Sequence, residues 1–327
     1  MRTLLTHAIC IAVLALLPAP PLWALMAGAA PDSASARVDA NVATSPFAGV
    51  AAISVGGSTF SGVVIAPQYI LTAGHVVAAG SAAAMQVTLN PGPSPWTSGV
   101  LAATAYPTFS FPYDDLGILQ LATPVPAGVP VYTLYGGPLQ TGLVLLLAGY
   151  GASGNGNAGV SVGPATSVKR SGGNTLDALT TAVDNSGRSS SFFEYDFDGP
   201  SGNGPLGGPT LGNAVETMVA YGDSGGPSFV AVGSTLQVLG INTFAATTLS
   251  NQPVTYTFGE IGGGILAADP RFAAWLQATT LGTMPAPETA SNDSDGPLPV
   301  WSYALLAGAL LMVGAKCAHA PDNRIER

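Results

Sequence analysis

Gly222-Asp223-Ser224-Gly225-Gly226-Pro227 is the stretch on which the reading of this chain turns. A serine between glycines on a tight turn presents its hydroxyl at a surface while nearby backbone N–H groups converge on one spot. One short loop then supplies both a nucleophile and a site for developing negative charge. Gly, Ser and Asp also dominate ordinary turns. The hexapeptide therefore needs a base and a carboxylate elsewhere in the chain before it reads as chemistry.

Between residues 30 and 280 there is one histidine, His75, in Thr72-Ala73-Gly74-His75-Val76-Val77, where an apolar strand gives way to a small-residue turn. A lone histidine cannot anchor a multi-histidine metal site. It can serve as a general base if a nucleophile and a carboxylate lie beside it. Asp114-Asp115-Leu116-Gly117-Ile118-Leu119 offers the carboxylate. Asp115 opens an apolar run that leads into a core, so its side chain is shielded and suited to hold an imidazole in one tautomer. Asp114 reads as its solvated neighbour.

His75, Asp115 and Ser224 follow one another at separations of 40 and 109 residues. In order, spacing and flanking residues the three segments resemble the trypsin/chymotrypsin family of serine peptidases, over roughly residues 38–280. The resemblance implies an all-β fold of two six-stranded antiparallel β-barrels with the site in the cleft between them, followed by a C-terminal helix. It implies Ser224 as nucleophile, His75 as proton shuttle and Asp115 as its orienting partner, with the N–H groups of Gly222 and Ser224 as oxyanion hole. Protein or peptide substrates follow, with no cofactor and no metal. For the helix, Asp269 reads as N-cap and Pro270 as first residue, with Phe272, Trp275 and Leu276 on one face.

Three departures from the family pattern shape the expectation. The cysteines that usually flank the family's His and Ser motifs are absent, since Cys10 and Cys317 are the only two in the chain. Six residues before Ser224, where trypsin-like specificity rests on an aspartate, stands Met218. Met218, Thr243, Ala245 and Gly264 are the expected pocket residues, which favours an uncharged side chain before the scissile bond. The family's activation sequence is also missing. Arg37-Val38 lies at a suitable distance before His75, so that cleavage there would free Val38 to pair with Asp223; otherwise Asp223 is held by local hydrogen bonds.

Composition agrees with an all-β domain. Gly (42) and Pro (27) are abundant, and short β-branched runs such as Gly62-Val63-Val64-Ile65 alternate with turn signals. From Ala30 to Gly296 five Lys/Arg stand against sixteen Asp/Glu. No basic patch is present to bind nucleic acid. Residues 1–29 read as a secretory signal, with Arg2 at its start, Ile11 to Leu17 as apolar core and Ala27-Gly28-Ala29 as cleavage site. The peptidase domain is set at 30–280 and a Pro/Ala/Thr/Ser-rich linker at 281–296.

Residues 297–315 are an uncharged segment long enough to span a bilayer, followed by a basic tail, 316–327. That segment is either a transmembrane anchor or part of a bacterial sorting signal, with the membrane or sorting machinery as partner. The protein is expected to be exported, and then to sit at the cell surface, on a periplasm-facing membrane, or in the medium after processing. The alternative function is a catalytically silent homologue acting as a surface binding module. Glu194 to Gly199 reads as an acidic surface loop or a calcium loop, and Gly151 to Gly163 as a flexible surface loop.

Overall fold

The computed structural model describes residues 25–200 and 204–286. The first strand is β1 (Leu25–Ala27). Six strands then close a barrel: β2 (Val50–Val55), β3 (Ser58–Ala66), β4 (Tyr69–Thr72), β5 (Gln86–Leu89), β6 (Trp96–Ala105) and β7 (Gly117–Leu121), in the order β2-β3-β4-β7-β6-β5. Every pairing is antiparallel. Closure removes the free edges that an open sheet would expose. Between β4 and β5 the chain makes one short helix, α1 (Gly74–Ala78).

The second half holds β8 (Thr133–Leu134), β9 (Val144–Gly149), β10 (Ser153–Asn155), β11 (Gly159–Val162), β12 (Arg170–Thr175), β13 (Ala178–Val183), β14 (Ser189–Asp196), β15 (Pro227–Val232), β16 (Thr235–Ala246) and β17 (Ile261–Ile265). Eight of these form one sheet, ordered β12-β9-β15-β16-β17-β14-β13, with β8 beside β16. The expected pair of closed six-stranded barrels is therefore realised once. In the second half, side chains join β12 to β14 where a closing ladder would run. Asn174 Nδ2–H donates to Asp196 O at 2.8 Å, and Asp196 N–H donates to Asp177 Oδ2 at 3.0 Å.

The expected C-terminal helix is α2 (Pro270–Thr279). Asp269 caps it by accepting the Arg271 N–H, and Phe272 and Leu276 are buried against the barrel core. One apolar cluster runs from β2–β7 through Phe192 and Phe229 to this helix, tying the halves together. Thirty-nine buried residues in it make cysteine-free stability intelligible, because the area removed from water scales with such a core.

Packed residues are found on both sides of 30–280. Leu25, Met26 and Ala27 are fully buried; β1 pairs in parallel with β10, and Met26 and Met218 exchange N–H···O bonds at 2.8 and 3.4 Å. In the full chain residues 25–27 thus pack onto the domain expected at 30–280. At the other end Met284 is buried and its carbonyl accepts Gln277 Nε2–H, so the fold runs past 280.

Two loops read as exposed are also structured. Residues 151–163 contain β10 and β11, which carry β1. Glu194 to Asp198 form the end of β14 and a turn in which Asp196 and Asp198 are buried, accepting N–H bonds from Leu206, Gly207 and Gly204. Among the described residues no cluster of His, Cys, Asp or Glu could hold a metal, and no helix is long and apolar enough to cross a membrane. The signal core, the segment 297–315 and the tail 316–327 lie outside the described residues.

Candidate active site

The barrel's register brings His75 and Asp115 together. β4 and β7 run antiparallel with Thr72 opposite Gly117, so the residues just past the end of β4 meet those just before β7. His75 Nδ1 lies 2.7 Å from Asp115 Oδ2, and the His75 backbone N–H donates to Asp115 Oδ1 at 2.7 Å. A carboxylate only accepts, so Nδ1 carries the proton and Nε2 keeps its lone pair. Asp115 is fully buried while the His75 side chain is 23% exposed.

A glycine is required at 74. A Cβ there would stand 2.8 Å from the Phe109 ring and 3.1 Å from Asp115 Oδ1. Phe111 packs edge-on against the imidazole at 5.5 Å. Asp114, expected in solvent, is 2% exposed instead. It accepts from Thr108 and Ser190 hydroxyls and so links the barrel to β14.

The Ser224 turn is clamped from several sides. Ser61 on β3 donates its N–H to Ser224 O at 2.9 Å and its hydroxyl to Gly222 O at 3.0 Å. Gly225 N–H donates to Asn242 O at 2.8 Å, and Gly226 N–H to Asp223 O at 2.9 Å. Gly222 and Gly225 have φ of 93° and 83°, a region that L side chains rarely adopt. A Cβ on Gly225 would also press on Thr72 and stand 3.1 Å from Ala73 N. The Ser224 turn thus lies against the residues that immediately precede Gly74-His75.

The carbonyls that precede two of its N–H groups are engaged by the fold: Tyr221 O accepts Ala152 N–H and Asp223 O accepts Gly226 N–H. In a trans peptide the following N–H points the opposite way, which turns the Gly222 and Ser224 N–H groups away from those partners.

Asp223 is fully buried. Its Oδ1 accepts Gly151 N–H at 2.8 Å and its Oδ2 accepts Ala220 N–H at 2.9 Å. The Leu25 backbone and Arg170 both lie close enough to favour its charge. Burial dominates nonetheless and pushes its pKa up to about 7. Val38 is not the residue beside it: Val38 is 39% exposed, bonds to Ser35 and bridges to Arg170. With Arg37 and Val38 still joined, Asp223 is held by the Gly151 and Ala220 N–H groups.

Ser224 opens on a cleft of about 230 Å³. Of the four residues expected to line its pocket, Thr243 and Ala245 do so, both on β16 around a register shift between Asn242 and Phe244. Met218 and Gly264 do not. Met218 is fully buried between β1 and the core, and Gly264 pairs with Asn242 beneath β16, with no room for a side chain. Their places are taken by Val219, Ala220, Tyr221 and Tyr256, all apolar or neutral.

Sequence reasoning missed Ser61, Phe111 and Tyr256. No local motif marks Ser61, because its partner Gly222 is 161 residues away.

No curated protein matches the chain. The family model described as Trypsin matches residues 38–185, a span that contains His75, Asp115 and the whole barrel and ends before Ser224. With the paired imidazole and carboxylate on the barrel and the serine turn packed against it, this match supports a trypsin/chymotrypsin-like serine peptidase family for the chain.

Proposed function

We propose that the protein is an exported serine endopeptidase in which Ser224 is acylated and then freed by water. The observation that carries this reading is the His75–Asp115 pair, with the Ser224 turn packed onto the residues beside it. His75 Nε2 takes the Ser224 proton and returns it to the leaving amine, while Asp115 stabilises the imidazolium. The N–H groups of Gly222 and Ser224 hold the developing oxyanion. The neutral lining of the cleft supports an uncharged side chain before the scissile bond, since an ionic side chain would lose its water without a partner there.

The reading extends to maturation. Leu25 is buried with its backbone close to Asp223, so removal of the leader just before Leu25 would place an α-ammonium near that carboxylate. Such a charge favours the ionised aspartate and would lower its pKa. Export and a role for 297–315 as membrane anchor or sorting signal belong to the same proposal. The intact mass of the mature protein, read with its N-terminal sequence, separates these fates and locates the first residue.

Labelling by a serine-directed phosphonate is the decisive experiment for the activity. The wild-type protein should label and Ser224→Ala should not. A folded, processed protein that shows no Ser224-dependent labelling would instead be a silent binding homologue.

A further inference from the structure

The segment between β16 and β17 is arranged around one carboxylate. Glu260 is 5% exposed. Its Oε1 accepts the Thr255 N–H at 2.8 Å and the Thr255 hydroxyl at 2.9 Å, and its Oε2 accepts the Tyr256 N–H at 2.6 Å and the Thr257 N–H at 3.3 Å. These four bonds bracket Tyr256, which has φ of 60°. An aromatic residue in that region is strained unless its surroundings hold it there. Here the Glu260 carboxylate supplies the hold.

The result is a tyrosine presented to the nucleophile's cleft. Its ring meets the ring of Tyr221, three residues before Ser224, edge-on at 5.9 Å. Tyr256 and Ser224 line the same cavity as Thr243 and Ala245. Among the cavity's lining residues Tyr256 is the only one contributed by this segment. Its side chain therefore occupies space that a substrate side chain would otherwise enter.

We propose that Tyr256, held by Glu260, is the specificity residue that limits the size of the substrate side chain before the scissile bond. This rests on the peptidase reading of Ser224. A hydrophobic pocket discriminates between side chains through the room it offers, at about 10–200-fold for each methylene gained or lost. Exchanging a tyrosine for a smaller or larger residue in the wall moves that limit directly.

The test is a peptide library varied at the residue before the cut, read as the ratio of kcat/KM for Phe over Ala. Tyr256→Ala should raise the ratio about 10-fold or more. Tyr256→Trp should lower it, and Tyr256→Phe should keep it close to wild type. Glu260→Gln, which weakens the hold without touching the cavity, should move it in the direction of Tyr256→Ala but less. Phosphonate labelling of Ser224 runs in parallel for every variant. If the ratio stays within about 2-fold across labelled Tyr256→Ala and Tyr256→Trp proteins, Tyr256 does not set the limit. If wild-type Ser224 itself fails to label, the peptidase reading falls and the pocket assignment falls with it.

Discussion

The barrel and the sheet build their sides of the cleft by different means. In the barrel, position comes from an unbroken ladder. Thr72 faces Gly117 because β4 and β7 are in register, and His75 meets Asp115 as a consequence. In the sheet, position comes from buried carboxylates that gather backbone N–H groups from irregular chain. Asp223 holds the Ser224 turn, Asp196 and Glu216 hold residues 206–211, and Glu260 holds the loop of Tyr256. Ladders need no charge, whereas loops without strand partners must find acceptors for their N–H groups. The barrel should therefore respond to lost packing and the sheet to protonation.

The largest expected effects come where the two halves meet. Ser224→Ala, from the sheet side, and His75→Ala, from the barrel side, should each lower kcat by about 10⁶, and the double variant should be little worse, because the pair acts as a unit. Asp115→Asn should cost about 10⁴, since an amide in that place favours the wrong imidazole tautomer. Steady-state kinetics on one peptide substrate reads all four. If the double loss equalled the product of the single ones, the two halves would act independently.

A packing change in the barrel comes next. Leu119 lies on β7, fully buried and opposite Ile70. Leu119→Ala should cost about 2–5 kcal/mol of stability through lost burial and the cavity left behind. Measured by denaturant midpoint in the Ser224→Ala background, which prevents self-digestion, the loss should be the same at pH 5 and pH 8. A strongly pH-dependent loss would mean that the barrel also leans on titrating groups.

This division explains what could be read from the sequence. The barrel's contributions were legible because ladder geometry is local: a strand, a small-residue turn and a histidine, then an aspartate opening a strand. The helix cap at Asp269 was legible for the same reason. The sheet's contributions depend on contacts across long stretches of chain. Nothing near Leu25 announces a buried strand, and its small neighbours Ala27-Gly28-Ala29 read as a cleavage site. Asp196 and Asp198 look like a solvated acidic run until the chain that supplies their N–H partners, Gly204 to Gly207, is folded over them. Met218 stands at the expected place in sequence, but β1 covers it and the cleft wall forms from the residues that follow it.

Titration in the sheet gives the smallest effect and the most direct contrast with the barrel. Asp177 accepts the Asp196 N–H and the Thr175 hydroxyl. Burial first, and then the nearby Asp196 and Glu216 carboxylates, push its pKa up to about 7. An unfolded aspartate ionises near 3.9. A carboxyl whose folded pKa is raised holds its proton more tightly in the native state, so this group favours the fold most at acid pH. That contribution fades as pH rises from about 4 through about 7. Asp177→Asn keeps an acceptor oxygen and removes the titration. The asparagine variant should gain stability relative to wild type between pH 5 and pH 8, by about 1 kcal/mol once solvent screening of this half-buried group is allowed for. Asp223 is common to both proteins and cancels in the difference. A stability gap that stayed constant over that range would show that Asp177 does not ionise there, and the contrast between a ladder-built barrel and a proton-sensitive sheet would lose its clearest support.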